Sequence, residues 1–373
     1  MAWRRWQAWS RAAAVAGVSA AVLACAGCAK LGYYWQSASG HLSLMHAARP
    51  VPQWLADPAT GDALKARLQL AQRIRRFAVT QLALPDNASY TEYADLHRSA
   101  AVWNVVAAPP YALTLKTWCF PVAGCVGYRG YYSEDLAQAE AALLRAQGLE
   151  AGVYGVPAYS TLGWMNWAGG DPLLSTFIAY PEGELARLIF HELAHQVVYA
   201  RNDTAFNESF ATAVERLGVQ RWLASQASDE ARKRYAEFDA RRRQFRALTL
   251  ATRRELAGIY ASNSPVAQDP PAKIALKKIA MQRFRDDYAR LKASWGGYAG
   301  YDAWVARANN ALFGAQAAYD DLVPDFEALF EREGRDWPRF YDAVKHLAAL
   351  PKDERHKALR QGRPETNQGE PHG

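Results

Sequence analysis

Within Leu188-Ile-Phe-His-Glu-Leu-Ala-His195 two histidines stand four positions apart, with a glutamate directly after the first. On an α-helix positions i and i+4 share a face, so the imidazoles of His191 and His195 converge while the Glu192 carboxylate lies beside them. This is the zinc-peptidase pattern His-Glu-x-x-His, in which two nitrogens hold one Zn²⁺ and the carboxylate addresses a water. It demands a helix with a packed back and a third ligand from elsewhere in the chain. Leu188, Phe190, Leu193, Ala194, Val197 and Val198 supply the packing, and the helix is expected to begin near Glu182, after Pro181, and to run through Tyr199.

The third ligand has a candidate close by. Asn202-Asp203-Thr204 turns the chain, Thr204 is placed to cap a second helix, and that helix is expected to end near Gly218. Glu208 falls in its first turn, 13 residues after His195. Two such helices packed antiparallel give the set His191, His195 and Glu208 around one zinc ion, with a fourth position for water. Glu215 is the rival, about 10 Å farther along the helix. That distance suits it, like Asn207, to a supporting place behind the ligands.

The N-terminus sets the compartment. Arg4, Arg5 and Arg11 precede an apolar run from Ala12 to Ala26, the length and charge bias of an export signal over residues 1–27. The run is too short for an ordinary spanning helix. It ends in Leu23-Ala-Cys25-Ala-Gly-Cys28, which resembles a bacterial lipobox, so Cys28 is the expected lipidated residue and mature N-terminus. Cys25, preceded by Val22-Leu-Ala, competes with it, and a soluble secreted protein cleaved nearby is the alternative. Ala29 in the second mature position favours a periplasm-facing place on the outer membrane, if the cell has one. Loss of the signal's three arginines lowers the net charge from +7 to +4, an excess that does not call for nucleic acid as a partner. Cys119 and Cys125, the remaining cysteines, are expected to close a short disulfide loop in an oxidising compartment; a zinc site on them would lack neighbouring Cys or His.

The chain in order reads as α+β and mostly helical. Residues 62–79 have helical apolar spacing, and Pro85-Asp-Asn breaks the pattern. Val102–Val106 and Tyr111–Trp118 read as strands; Ser133 is placed to cap a helix over 134–147, and Gly152–Ser160 reads as an edge strand because of Pro157. Trp164, Trp167 and Asp171 lie in an irregular aromatic stretch. The C-terminal half reads as an αα-hairpin of residues 229–260 and 273–294 followed by shorter helices, with Arg241-Arg-Arg243 and Lys277-Lys278 on solvated faces. The expected organisation is the signal, a catalytic region over 28–222 with a small sheet before the metal helix, a helical region over 223–361, and a frayed tail over 362–373.

Asn207-Glu-Ser-Phe-Ala211 is similar to the Asn-Glu-Gly-Phe-Ala pattern that supplies the third ligand in gluzincin aminopeptidases, although Ser209 replaces the glycine and the separation from His195 is shorter. More widely, Gly32-Tyr-Tyr34, Cys125-Val-Gly-Tyr-Arg-Gly-Tyr131, Tyr154–Gly163, Asp171–Thr176, the metal helix, Asn207-Glu208 and Asn309-Asn310 resemble the bacterial predicted aminopeptidases, zinc-dependent proteins assigned as lipoproteins. The resemblance implies a zincin-like fold, hydrolysis of peptide or protein substrates, and attachment to the membrane by a lipid. It leaves open a cell-envelope endopeptidase, or a non-catalytic zinc-binding envelope lipoprotein. Glu192 argues against the last, because a structural metal needs no base. An oxyanion donor is sought in Tyr128, Arg129 and Tyr131 of the Gly-Tyr-Arg-Gly-Tyr stretch.

Overall fold

The computed structural model describes residues 32–120, 124–158, 170–262, 269–317 and 322–361. The expected signal, Cys25 and Cys28, Trp164 and Trp167, and the tail lie outside them. Two compact units divide the chain, residues 1–47 and 48–373. In the first, residues 32–47 form helix α1, which contains no Asp, Glu, Lys or Arg and leaves Trp35 exposed. Ser37 and Ser39 donate back to the carbonyls of Tyr33 and Trp35 one turn earlier.

In the second unit the described strands are β1 (Arg49–Pro50), β2 (Glu92–Ala94), β3 (Val102–Ala108), β4 (Trp118–Phe120), β5 (Gly124–Val126), β6 (Arg129–Tyr131), β7 (Glu150–Val156) and β8 (Leu173–Leu174). The described helices are α2 (Val51–Ala56), α3 (Asp62–Leu82), α4 (Glu134–Ala146), α5 (Glu182–Ala194), α6 (Thr204–Ser225), α7 (Asp229–Ala261), α8 (Pro270–Ser294), α9 (Asp302–Arg307), α10 (Asn310–Ala317), α11 (Val323–Arg332), α12 (Trp337–Ala349) and α13 (Lys352–Arg360). Helix dominates and the sheets are small, an α+β architecture.

β3 is the centre of an antiparallel sheet in the order β6-β3-β7. Helices α4 and α10 pack on it, α4 capped by the Ser133 hydroxyl, which accepts from the Leu136 N–H. Leu312 of α10 presses on Gly152, where a Cβ would fall 2.9 Å from Leu312 Cδ2. The expected second strand over 111–118 forms only from Trp118 onward. β6 and β7 already occupy the two edges of β3, and the segment reaches it through one bond, Lys116 N–H to the Ala107 carbonyl at 2.8 Å. β7 is the expected edge strand and ends one residue before Pro157. Its carbonyls at Ala151 and Val153 accept from Asn309 Nδ2 and Arg307 Nη1, each at 3.2 Å.

The helical layer holds the metal motif. α5 lies along α6 and is flanked by α3 and α7. Phe77 of α3 stacks on Phe190 of α5 and meets Trp222 of α6 edge-on. On the far side of α6, Phe206 and Phe210 pack against Phe326 of α11, and Phe210 also meets Phe340 of α12. A helix buried on so many faces shows no single apolar stripe. Gly218 therefore does not stop α6; it lets the helix press on its neighbours, since a Cβ there would lie 2.7 Å from Leu82 Cδ1 and 2.9 Å from Phe190 Cδ2. α7 and α8 form the expected hairpin around Phe245, Leu256, Met281, Phe284 and Tyr288. Lys277 is not on a solvated face: it pairs with Glu150 and donates to the Pro110 carbonyl at 2.8 Å, tying α8 to the sheet.

Candidate metal centre

α5 starts after Pro181 with Glu182 and Glu184 in its first turn, where carboxylates complement the helix dipole. Leu185, Ala186, Ile189, Phe190, Leu193 and Ala194 are buried, which fixes the rotation of the helix and turns Arg187 and His191 toward Glu215 of α6. The helix ends at Ala194, short of the expected Tyr199; His195 is its cap, still in right-handed helical conformation, with its N–H on the His191 carbonyl at 3.3 Å. Gln196 N–H and Val197 N–H turn back to the Leu193 and Ala194 carbonyls, and farther on Asn207 of the second helix holds the chain. It clamps Ala200 at both ends, accepting from the N–H at 2.7 Å and donating to the carbonyl at 2.8 Å. The second helix is capped by Asp203 rather than Thr204, through Phe206 N–H to Asp203 Oδ1 at 3.3 Å.

These constraints bring three ligand atoms together. Nε2 of His191 and of His195 are 3.1 Å apart, and Glu208 Oε2 lies 3.3 Å from the first and 3.5 Å from the second. Ligands about 2.0–2.1 Å from a tetrahedral zinc ion stand about 3.3 Å from one another. The donor set therefore fits such an ion in both chemistry and spacing, and His191, His195 and Glu208 could hold it.

Glu215, two turns on, accepts from His191 Nδ1 at 3.0 Å through Oε2, while Arg187 Nε donates to its Oε1 at 2.6 Å. A carboxylate on Nδ1 selects the tautomer whose Nε2 lone pair faces the ligand set. The ionisation of the cluster follows from these contacts. In the metal-free site burial works against a charged His191, but hydrogen bonds to Glu208 and Glu215 and the charges of Glu215 and Glu192 outweigh it and raise the imidazole to about 10; a metal ion at Nε2 would displace that proton and leave the one shared with Glu215. Burial raises Glu215, yet the Arg187 charge and the contact with His191 bring it down to about 2. Glu208 is held well below the usual carboxylate range, because the histidines outweigh its burial. Glu192 is shifted the other way: burial raises it, the two histidines lower it, and Glu208 and Glu215 add to the rise.

Phenols surround the carboxylates. Burial pushes Tyr128 far up, reinforced by the charges of Glu208 and Glu192, so it stays protonated and able to donate. Tyr154, hydrogen-bonded to Asn104, is pushed up to about 12 by burial, with Glu208 adding, and Tyr199 rises for the same two reasons. Tyr90, 1% exposed, is raised by burial and by Glu192 and Asp171, and its hydroxyl has no partner among the described residues. Of the three sequence candidates for an oxyanion donor, Tyr128 is tied electrostatically to Glu208 and Glu192. Arg129 pairs with Glu140 of α4 at 3.2 Å, and Tyr131 is buried in β6. Tyr90, Tyr199 and Arg187 carry no local signature in the sequence, and Tyr154 stands out there only as the start of a family-like stretch, not as a site residue.

Around His195 a polar lattice fixes the chain. Gln196 accepts from Asn87 Nδ2 at 2.7 Å and donates to Ser89 Oγ at 3.1 Å, and Asp171, fully buried, takes the Tyr90 N–H on its main-chain carbonyl at 2.7 Å. Cys119 and Cys125 are joined as a disulfide across the β4–β5 hairpin. The hairpin docks on the loop between the two ligand helices, where Cys125 N–H donates to Asn202 Oδ1 at 2.8 Å. Ser209, the departure from the glycine pattern, is buried and accepts from the Leu322 N–H at 3.2 Å.

A family model described as putative aminopeptidase matches residues 32–359. The chain belongs to that family. The match takes in α5 and α6 with all the residues above, and its description points to peptidase activity. No curated protein matches the chain, and no solved structure does. No described helix of this family member is long and apolar enough to cross a membrane.

Proposed function

We propose that this chain is a zinc-dependent peptidase that removes residues from the N-termini of its substrates and is held in the cell envelope by a lipid on Cys28. One observation carries the reading: the ligand atoms of His191, His195 and Glu208 stand 3.1 to 3.5 Å apart with Glu192 next to the first ligand. A bound zinc ion would acidify water and polarise the substrate carbonyl. Glu192, raised by burial, takes the proton from the attacking water and returns it to the leaving amine. Glu215 keeps His191 in its coordinating tautomer. Tyr128, kept protonated, donates to the carbonyl oxygen as it gains charge. The family description supports a peptide substrate. The lipid anchor is supported by the apolar run before Cys28 and by the charge-free α1 that follows it, with Trp35 exposed as interfacial aromatics are.

Matched peptides with free and acetylated N-termini test the specificity. Stepwise release from the free peptides alone is expected; equal internal cleavage of both sets would replace the aminopeptidase by an endopeptidase. Glu192→Gln should retain zinc and lose turnover, and full turnover in that variant would remove the base assignment. Mass spectrometry of the mature N-terminus reads the anchor, with a diacylglyceryl mass on Cys28 expected and an unmodified terminus refuting it.

A further inference from the structure

His191 is the last member of a row of charges that starts on a helix carrying no ligand. Arg242, near the middle of α7, pairs with Glu184 Oε1 in the first turn of α5. The other oxygen of Glu184 takes Arg187 Nη1 at 3.4 Å. Arg187 in turn holds Glu215 Oε1 at 2.6 Å, and Glu215 Oε2 holds His191 Nδ1 at 3.0 Å. Each carboxylate thus divides its two oxygens between two cationic or proton-bearing partners. Neither can rotate without breaking a contact, so the orientation of Glu215 is fixed from the side away from the metal. Glu215 is almost wholly buried, with a side chain 4% exposed, and a lone buried carboxylate is free to choose among donors unless something fixes it.

Packing of α7 on α5 does not require this row. Tyr235 already seats the helix against Gly183, where a Cβ would fall 2.4 Å from the ring. Partly buried ion pairs are expensive to desolvate, and apolar residues of similar volume would hold two helices together at least as well. What the row supplies and apolar residues would not is direction.

We propose that Arg187 and Arg242 are positioning residues for the metal: through Glu184 and Glu215 they hold the His191 imidazole so that Nε2 faces His195 and Glu208. The proposal rests on the zinc reading. It makes α7, in the helical half of the chain, a determinant of metal affinity by way of charge as well as packing. Loss of a group supporting a metal ligand typically weakens binding about 10- to 100-fold. That range is expected for Arg187→Met. Arg242→Met, two contacts farther out, should weaken binding measurably but less, by about 2- to 10-fold.

The full chain, stripped of metal, is titrated with Zn²⁺ against a chromophoric chelator and separately with Co²⁺, whose visible absorption reports ligand geometry. Arg187→Met should weaken Zn²⁺ binding and change the Co²⁺ bands, and Arg187→Lys should recover part of both. Because Arg187 acts through Glu215, adding Arg187→Met to Glu215→Gln should have little further effect on affinity. A merely structural arginine gives the same loss in both backgrounds. Arg242→Met provides the same readouts should Arg187→Met fail to fold. Wild-type affinity and Co²⁺ bands in Arg187→Met or Arg242→Met, or equal losses with and without Glu215, overturn the proposal while the zinc reading stands. A wild-type chain that takes up neither ion removes the zinc reading, and this proposal with it.

Discussion

Replacing Arg355 by methionine tests how α6, the helix that carries Glu208, is held at its start. Arg355 is 5% exposed and Asp203, its partner, 1%. The guanidinium donates to Asp203 Oδ2 at 2.6 Å, and to the carbonyls of Leu347, Ala348 and Leu350 at 3.3, 3.0 and 2.8 Å at the end of α12. It also lies over the Phe206 ring, 5.1 Å from the centroid. Methionine keeps most of the apolar stem and removes every donor. Breaking a buried ion pair from one side costs about 3–5 kcal/mol. Asp203 would keep the Phe206 N–H and the His356 Nε2 contact at 2.8 Å, so the loss should fall in the lower part of that range, about 3 kcal/mol. The measurement is urea unfolding of the metal-free protein followed by tryptophan fluorescence, with Arg355→Lys expected to lie between the two. Because Asp203 caps the helix that carries Glu208, zinc affinity should fall with stability. A loss below about 1 kcal/mol at unchanged denaturant slope would show that the latch does not hold α6 and would refute the reasoning.

Three further outcomes are expected. Gly218→Ala gains helix propensity of about 1 kcal/mol but forces a methyl into contact with Leu82 and Phe190, both 0% exposed, so a net loss of about 1–2 kcal/mol is expected in thermal or urea unfolding; a more stable variant would show that the contact relaxes freely. Tyr128→Phe should lower kcat about 100-fold with metal content and KM nearly unchanged, as removal of a transition-state donor does; a change confined to KM would assign Tyr128 to substrate binding instead. Replacing Cys119 and Cys125 by serine opens a loop whose closure is worth about 2 kcal/mol. It should also loosen the Asn202 contact, visible as faster amide exchange between the two ligand helices; unaltered exchange there would separate the hairpin from the site.

Much of the site was legible because its chemistry is local. The four-residue spacing of the histidines, the adjacent glutamate and Glu208 after a short turn survive folding unchanged, since a helix fixes which side chains share a face. Glu215 was placed behind the ligands by helix rise alone. Boundaries were less legible where a distant contact decides them. Gly218 reads as a stop until Leu82 and Phe190 are seen pressed against it. After α5 ends at Ala194 the chain is held by Asn207 clamping Ala200, a bond between side chain and backbone that no periodicity announces. The highly charged α13 looks like a solvated stretch, but Arg355 and His356 lock it to Asp203 more than 150 positions earlier. The tyrosines around Glu208 and Glu192 come from several elements, and only the fold assembles them.

The outer side of β7 bears on how copies of this protein behave when crowded together. An open strand edge is a template on which another chain can add, and repeated addition leads to aggregation. Here Asn309 and Arg307 occupy the carbonyls of Ala151 and Val153, and Thr176 takes that of Pro157, which itself has no N–H to offer. Gly155 is left between them, exposed, as a foothold one residue long. That is too short for a neighbouring strand to register on, so side chains from α9, the residue before α10 and the turn after β8 do the work that a covering strand would do in a larger sheet.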